Sequence, residues 1–169
     1  INSFNNLNLR NGGGYFGRYD RIRDGLISLL SQNTHVDYMA YQPCVLYLNG
    51  KFWGQYALRE KVDEHYVEGN HGISSESVNM LSALNGVISG SDKSLYETFH
   101  TIMNIEPSNS DFYNVIDETI NLDNYIDYFI IQTYIQNGDW YAGKQNLKCW
   151  YSKSNGKLNY VLYDTDQSF

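Results

Sequence analysis

The chain has 169 residues, 42% of them hydrophobic, which suffices for one well-buried core and is short for two, so residues 1–169 read as a single domain. The formal charge of −7, with only twelve Lys and Arg and no basic run, excludes a nucleic-acid partner, because a phosphate backbone would be repelled. No apolar run approaches the ~18 residues of a membrane span, so no transmembrane segment is expected, and the N-terminus lacks the basic-then-apolar pattern of a signal peptide.

In chain order, "FNNLNLR" alternates around Phe4, Leu7 and Leu9 as an edge strand, ended by Arg10-Asn11 and three glycines. Ile22, Leu26, Leu29 and Leu30 then recur at helical spacing, predicting a helix from about Tyr19 to Gln32. "YQPCVLYLNGKFWGQYALREK" reads as two strands around an Asn49-Gly50 turn, with Pro43 suited to the start or edge of the first. A short helix from Val62 to about Glu68 closes on Gly69. "VNMLSAL" reads as a strand followed by a Gly/Ser turn, and helices are expected over Lys93–Met103 and, capped by Ser110, over Asp111–Ile120. "LDNYIDYFIIQTYIQN" is the strongest helical pattern, with Asp123 as cap and Tyr125, Ile126, Phe129, Ile130 and Tyr134 as a buried stripe. "LKCWYS" and "KLNYVLYD" pair across Ser154-Asn155-Gly156 as a second hairpin. The sum is α+β, with antiparallel hairpins early and late and helices between them.

Cys44 and Cys149 fall in predicted strands and read as small buried thiols. His35, His65, His71 and His100 lack the spacing of a zinc site. Sixteen Tyr and few Lys or Arg leave a surface of neutral hydrogen bonders, a composition that leans towards life outside the cytosol. The chain opens mid-pattern at Ile1 and stops at Phe169 directly after "DTD", so it reads as part of something longer.

Chemistry concentrates in "NGDWYAGKQN" and in the "DTD" that follows the second hairpin. Phosphoryl transfer from ATP needs a carboxylate near the incoming hydroxyl, oxygen ligands for Mg²⁺, and cations on the phosphates. Asp139 and Asn146 share one irregular loop, and a hairpin returns the chain to its origin, so Asp164 should come back beside them. A buried helix, a loop with Asp then Asn, a hairpin and a further Asp is the order of catalytic parts in protein kinases. Here the loop has no His-Arg-Asp lead-in, its Asp-to-Asn spacing is seven instead of five, and "DTD" stands where Asp-Phe-Gly would be.

"LRNGG" at 9–13, "LNGKFWGQYALREKVDEHYV" at 48–67, "NGDWYAGKQN" at 137–146 and "YDTDQSF" at 163–169 together resemble the spore coat protein H (CotH) kinase family. The resemblance implies an atypical protein-kinase-like α+β fold with a helical lobe, incomplete here at both ends. It implies a secreted or surface-associated enzyme that uses ATP and Mg²⁺ or Mn²⁺ to phosphorylate a secreted, surface or coat protein. Carried over by motif, Asp139 is the catalytic carboxylate and Asn146 and Asp164 are metal ligands, with Asp166 beside them. Arg59 and Lys61 share one face of an extended strand and would steady the phosphates, with Glu60 or Glu64 orienting Lys61. Trp53, Trp140 and Trp150 are the aromatics available to stack on adenine.

Three other readings compete with this one. Gly12-x-Gly14-x-x-Gly17 with Asp37 downstream fits a dinucleotide fingerprint, but the preceding strand is half polar and the following strands pair antiparallel. "DTD" also resembles the metal-binding Asp-x-Asp of sugar-nucleotide glycosyltransferases. A surface or coat interaction module with a vestigial kinase pocket is the non-enzymatic alternative.

Overall fold

The structure is a computed structural model that describes residues 4–12, 21–82, 86–140, 146–154 and 156–169. Its first sheet is antiparallel, with β1 (Leu7–Arg10), β4 (Lys51–Glu60) and β3 (Tyr41–Leu48) in that spatial order. Pro43 therefore lies on an edge strand, where a missing N–H costs no ladder bond. Asn49 and Gly50 both take positive φ, 51° and 77°, the type I′ geometry whose twist matches the strands it joins. A bulge where Leu46 and Tyr47 face Gly54 and Phe52 bends the far end of this hairpin.

The second sheet is mixed, in the order β2 (Asp37–Tyr38), β8 (Leu158–Leu162), β7 (Lys148–Ser152), β5 (Val78–Ser82) and β6 (Gly86–Ser89). Only β2 against β8 is parallel among these pairs. β8 is buried along its whole length because both faces of the sheet are covered. Cys149, Leu158, Tyr160 and Leu162 face a cluster with Ile27, Tyr128 and Ile135. On the other face, Met80, Trp150 and Val161 pack with Met39, Tyr66 and Val67. Both cysteines are free, Cys149 buried in the core and Cys44 on the other sheet.

The helices are α1 (Arg23–Leu30), α2 (Glu64–His71), α3 (Asp92–Asn104), α4 (Phe112–Thr119) and α5 (Leu122–Tyr134). α2 begins at Asp63, whose carboxylate accepts from the backbone N–H groups of His65 and Tyr66, and ends at a left-handed Gly72, three residues beyond the expected stop. The cap of α5 is Asn121 instead of Asp123, and α4 follows Asp111 instead of Ser110. The strands β2 and β6 were not legible in the pattern, being two and four residues long.

Two apolar stripes point the other way from expectation. On α1 the buried residues are Gly25, Ile27 and Ser28, whereas Ile22, Leu26, Leu29 and Leu30 are exposed. On α5 the core face carries Asn124, Tyr128 and Gln132, and the expected stripe of Ile126, Phe129, Ile130 and Tyr134 is exposed, with Tyr125 half-buried. Polar residues win the inner face of α5 because they bond strands there: Asn124 donates to the carbonyl of Tyr160 (3.0 Å) and accepts from its N–H (2.7 Å). A helix apolar on several sides cannot be oriented from its hydrophobic pattern alone.

Gly25 is where α1 meets the first sheet. A Cβ there would lie 2.4 Å from Tyr41 Cε2, against the ring that also stacks under Arg59 at 5.4 Å. Alanine favours an exposed helix by up to ~1 kcal/mol over glycine, but the clash outweighs this. Gly25→Ala is expected to destabilise the protein by about 1–3 kcal/mol in urea unfolding, the usual cost of overpacking.

Candidate active site

The site begins where α5 stops. Gln136 takes a left-handed φ of 53°, its N–H reaches the Thr133 carbonyl (3.1 Å), and the Asn137 N–H reaches that of Gln132 (3.2 Å). This paired closure is a Schellman motif built without glycine, and it turns the chain sharply out of the helix. Asn137 is then fixed by its amide donating to Gln132 Oε1 at 2.9 Å, which sets down Asp139 two residues later.

Asn146 closes the loop. Its N–H donates to the Asp139 carbonyl (3.3 Å), and its side-chain amide donates both to Asp139 Oδ2 (2.7 Å) and to the backbone carbonyl of Asp164 (3.2 Å). Three residues separated by as much as 25 positions, 139 to 164, thus meet at one buried amide. Residues 141–145 of the intervening loop lie outside the described part of the chain.

Asp164 itself is left-handed, φ 55°, which bends the chain off the end of β8 and swings its carboxylate onto Arg10 of β1. The segment beyond it is tied down on both sides. Asp24 Oδ1, in the first turn of α1, accepts from the Thr165 N–H (3.2 Å) and hydroxyl (3.1 Å), and Arg23 donates to the Ser168 carbonyl (2.8 Å). At its end the Phe169 N–H donates to the carbonyl of Ile135 (2.9 Å).

Asp24 is the hub of this arrangement. Its other oxygen, Oδ2, takes Arg59 Nη1 at 2.9 Å and Arg10 Nη1 at 3.3 Å. Arg59 is 1% exposed and also donates to Ser28 Oγ (2.9 Å) and the Met39 carbonyl (3.4 Å). One carboxylate therefore joins β1, β4, α1 and the segment after β8.

Several of the residues expected to act together are apart. Arg59 turns inward to Asp24, whereas Lys61 is half exposed and pairs with Asp63 Oδ2 at 3.2 Å, a carboxylate that also takes the Asn6 amide (3.1 Å). Neither Glu60 nor Glu64 orients Lys61: Glu60 accepts from Asn70 Nδ2 (2.9 Å), its carboxyl raised by burial, and Glu64 sits in the first turn of α2. Trp150 is 1% exposed, with its indole N–H on Asp37 Oδ2 (2.6 Å) and its ring against His71, so it is core and not a nucleotide platform. Asp37 is thus spent on Trp150 and on His71 Nε2 (2.9 Å); Gly14 and Gly17 of the dinucleotide pattern lie outside the described residues. Trp140 packs edge-on to Tyr128 and Phe129, and Trp53 lies at the bulged end of β4, about 20 Å along the strand from Arg59.

Beside the hub opens a cleft of about 270 Å³ under the face of the first sheet, walled by Arg10, Arg21, Tyr41 and Gln55, with Tyr56 and Ala57 behind. A smaller hollow continues from it to Asp24, Arg59 and Asp166. The aromatic rings on this cleft are Tyr41 and Tyr56, which the sequence reading passed over in favour of the tryptophans. Arg10 and Asp24 were also missed; the sign available was their place in "LRN" and "RDG", charged residues flanking a glycine-rich stretch.

The donor set suits a hard divalent cation. Burial, then the charges of Asp164, Asp24 and Asp139, push the Asp166 carboxyl up to about 6, against the relief given by Arg10. Carboxylates crowded in this way are the surroundings a divalent ion stabilises. Among the described residues no three His, Cys, Asp or Glu side chains are close enough to share one ion. A site here would therefore use Asp164 and the Asn146 amide, with Asp166 near, completed by ligand oxygens and water as Mg²⁺ commonly is.

The model of the family described as CotH kinase protein matches residues 6–169. The chain belongs to the CotH kinase family. The α+β fold expected of CotH kinases is the one observed, with a hairpin sheet, a helix-covered second sheet and the acid-amide-acid cluster where they meet. A comparison with curated proteins found no match.

Proposed function

We propose that this CotH kinase domain transfers the γ-phosphoryl group of ATP to a serine or threonine hydroxyl of a secreted or surface protein. The observation that carries this reading is the Asn146 amide, which holds the Asp139 carboxylate and the Asp164 backbone together, with the Asp164 carboxylate on Arg10, a wall of the arginine-lined hollow. In this reading Asp139 accepts the hydroxyl proton as the acceptor oxygen bonds to phosphorus, and the phosphorus-to-ADP oxygen bond breaks with its electrons leaving on ADP. Asn146 keeps Asp139 oriented by donating to its Oδ2 at 2.7 Å. Mg²⁺ or Mn²⁺, held by Asn146 and Asp164 with Asp166 beside them, would neutralise charge on the phosphates. Arg59, fixed by Asp24, lines the hollow and brings positive charge to it, while Lys61 is paired with Asp63. The extracellular or surface location follows the family resemblance and the tyrosine-rich, Lys- and Arg-poor composition.

The glycosyltransferase reading requires both acids of "DTD" on one ion. It gives no role to Asp139, which Asn146 joins to the Asp164 backbone, and this favours phosphoryl transfer. The experiment is incubation with γ-labelled ATP and Mg²⁺ or Mn²⁺, alongside a thermal-shift panel of ATP, UDP-sugar and GDP-sugar. Label is expected to reach protein, to vanish with EDTA, and ATP is expected to give the largest shift. A shift confined to a sugar nucleotide, or labelling that survives chelation, would overturn the reading.

A further inference from the structure

Lys148 opens β7, two residues after Asn146, and leaves the sheet on the face that carries Trp150. Its ammonium donates to the Val62 carbonyl at 3.3 Å and lies 3.9 Å from the ring centre of Tyr163, the residue preceding Asp164. The charges of Asp63 and Asp164 favour its ammonium form and that of Lys61 opposes it. Yet none of the described carboxylates lies within ion-pair distance of it, whereas Lys61 has Asp63, Lys93 has Glu97 and Lys157 has Asp117.

A half-buried ammonium held only by a carbonyl and an aromatic face has given up water without gaining a counter-charge. Such a group gains most when an anion arrives. The two cations suggested by the strand sequence are differently placed: Arg59 is sealed beneath Asp24 and Ser28, and Lys61 brings its own carboxylate.

We propose that Lys148 is a phosphate-binding cation, taking a non-bridging oxygen of the polyphosphate beside Asp164. The cationic site stands on the geometry; that its anion belongs to a nucleotide rests on the kinase reading above. Lys148 binds the phosphates in both ground state and transition state, so it acts on nucleotide affinity, while Lys61, already paired with Asp63, contributes less.

The test is calorimetric binding of ATP, inorganic tripolyphosphate and adenosine to the wild type, Lys148→Met, Lys148→Gln and Lys61→Met. Lys148→Gln keeps a donor for the Val62 carbonyl without the charge, and guards against a folding defect in the methionine variant. Both Lys148 variants are expected to lose about tenfold or more in affinity for ATP and tripolyphosphate, the scale of a charge-assisted hydrogen bond. Adenosine binding and the melting temperature should hold or rise, and Lys61→Met should cost less than about threefold. Undiminished ATP and tripolyphosphate binding in the Lys148 variants, or an equal loss for adenosine, overturns the assignment while leaving the kinase reading in place. Lys148-dependent binding of tripolyphosphate without any binding of ATP keeps the site and removes the nucleotide. A wild type that binds neither defeats both.

Discussion

Asp139→Asn is expected to lower phosphate transfer by a factor of about 10² to 10⁴, the range lost when a positioned general base is removed. The substitution is well suited to the question, because an asparagine oxygen can still accept from Asn146 Nδ2, now at 2.7 Å from the carboxylate, and the loop should keep its shape. Stability in a thermal melt is therefore expected to change by less than about 1 kcal/mol. Nucleotide affinity should also hold, since the proton acceptor and the phosphate contacts are different groups. The decisive comparison is γ-labelled transfer at saturating ATP. Transfer within a few-fold of the wild type would remove Asp139 from its assigned role and leave the fold untouched.

Asp24→Ala is expected to have the largest effect on stability. It strands the Arg59 guanidinium, 1% exposed, with only a hydroxyl and a carbonyl as partners, and cuts both bonds to Thr165. Removing one member of a buried ion pair costs about 3–5 kcal/mol, because the survivor has lost water and gained nothing. Urea unfolding measures this directly. The double variant Asp24→Ala with Arg59→Met should recover much of the loss, since it removes the orphaned charge as well. Additive losses in the pair would show that Asp24 acts through Thr165 and Arg10 and not through Arg59.

What was legible in the sequence was whatever turn chemistry could specify. Asn49-Gly50 sets the first hairpin, and the alternation in "KCWYS" and "LNYVL" sets the second, so the return of Asp164 towards Asp139 followed from chain geometry before any contact was known. The roles of Arg59 and Lys61 were not legible, because sharing a strand face does not say which partner waits opposite. Asp24 meets Thr165 across 141 positions and Arg59 across 35, and nothing local announces either pairing. The apolar stripe of α5 misled for a related reason. Asn124 and Gln132 read as outward-facing until the strand groups and the Asn137 amide that satisfy them are in view.

The left-handed backbone at Asp164 governs how that position can be probed. Alanine or valine there would strain the main chain by roughly 1–2 kcal/mol before any loss of charge is felt, whereas asparagine enters this conformation readily. An alanine scan would thus confound shape with electrostatics at this residue. The asparagine variant alone reports what the negative charge contributes.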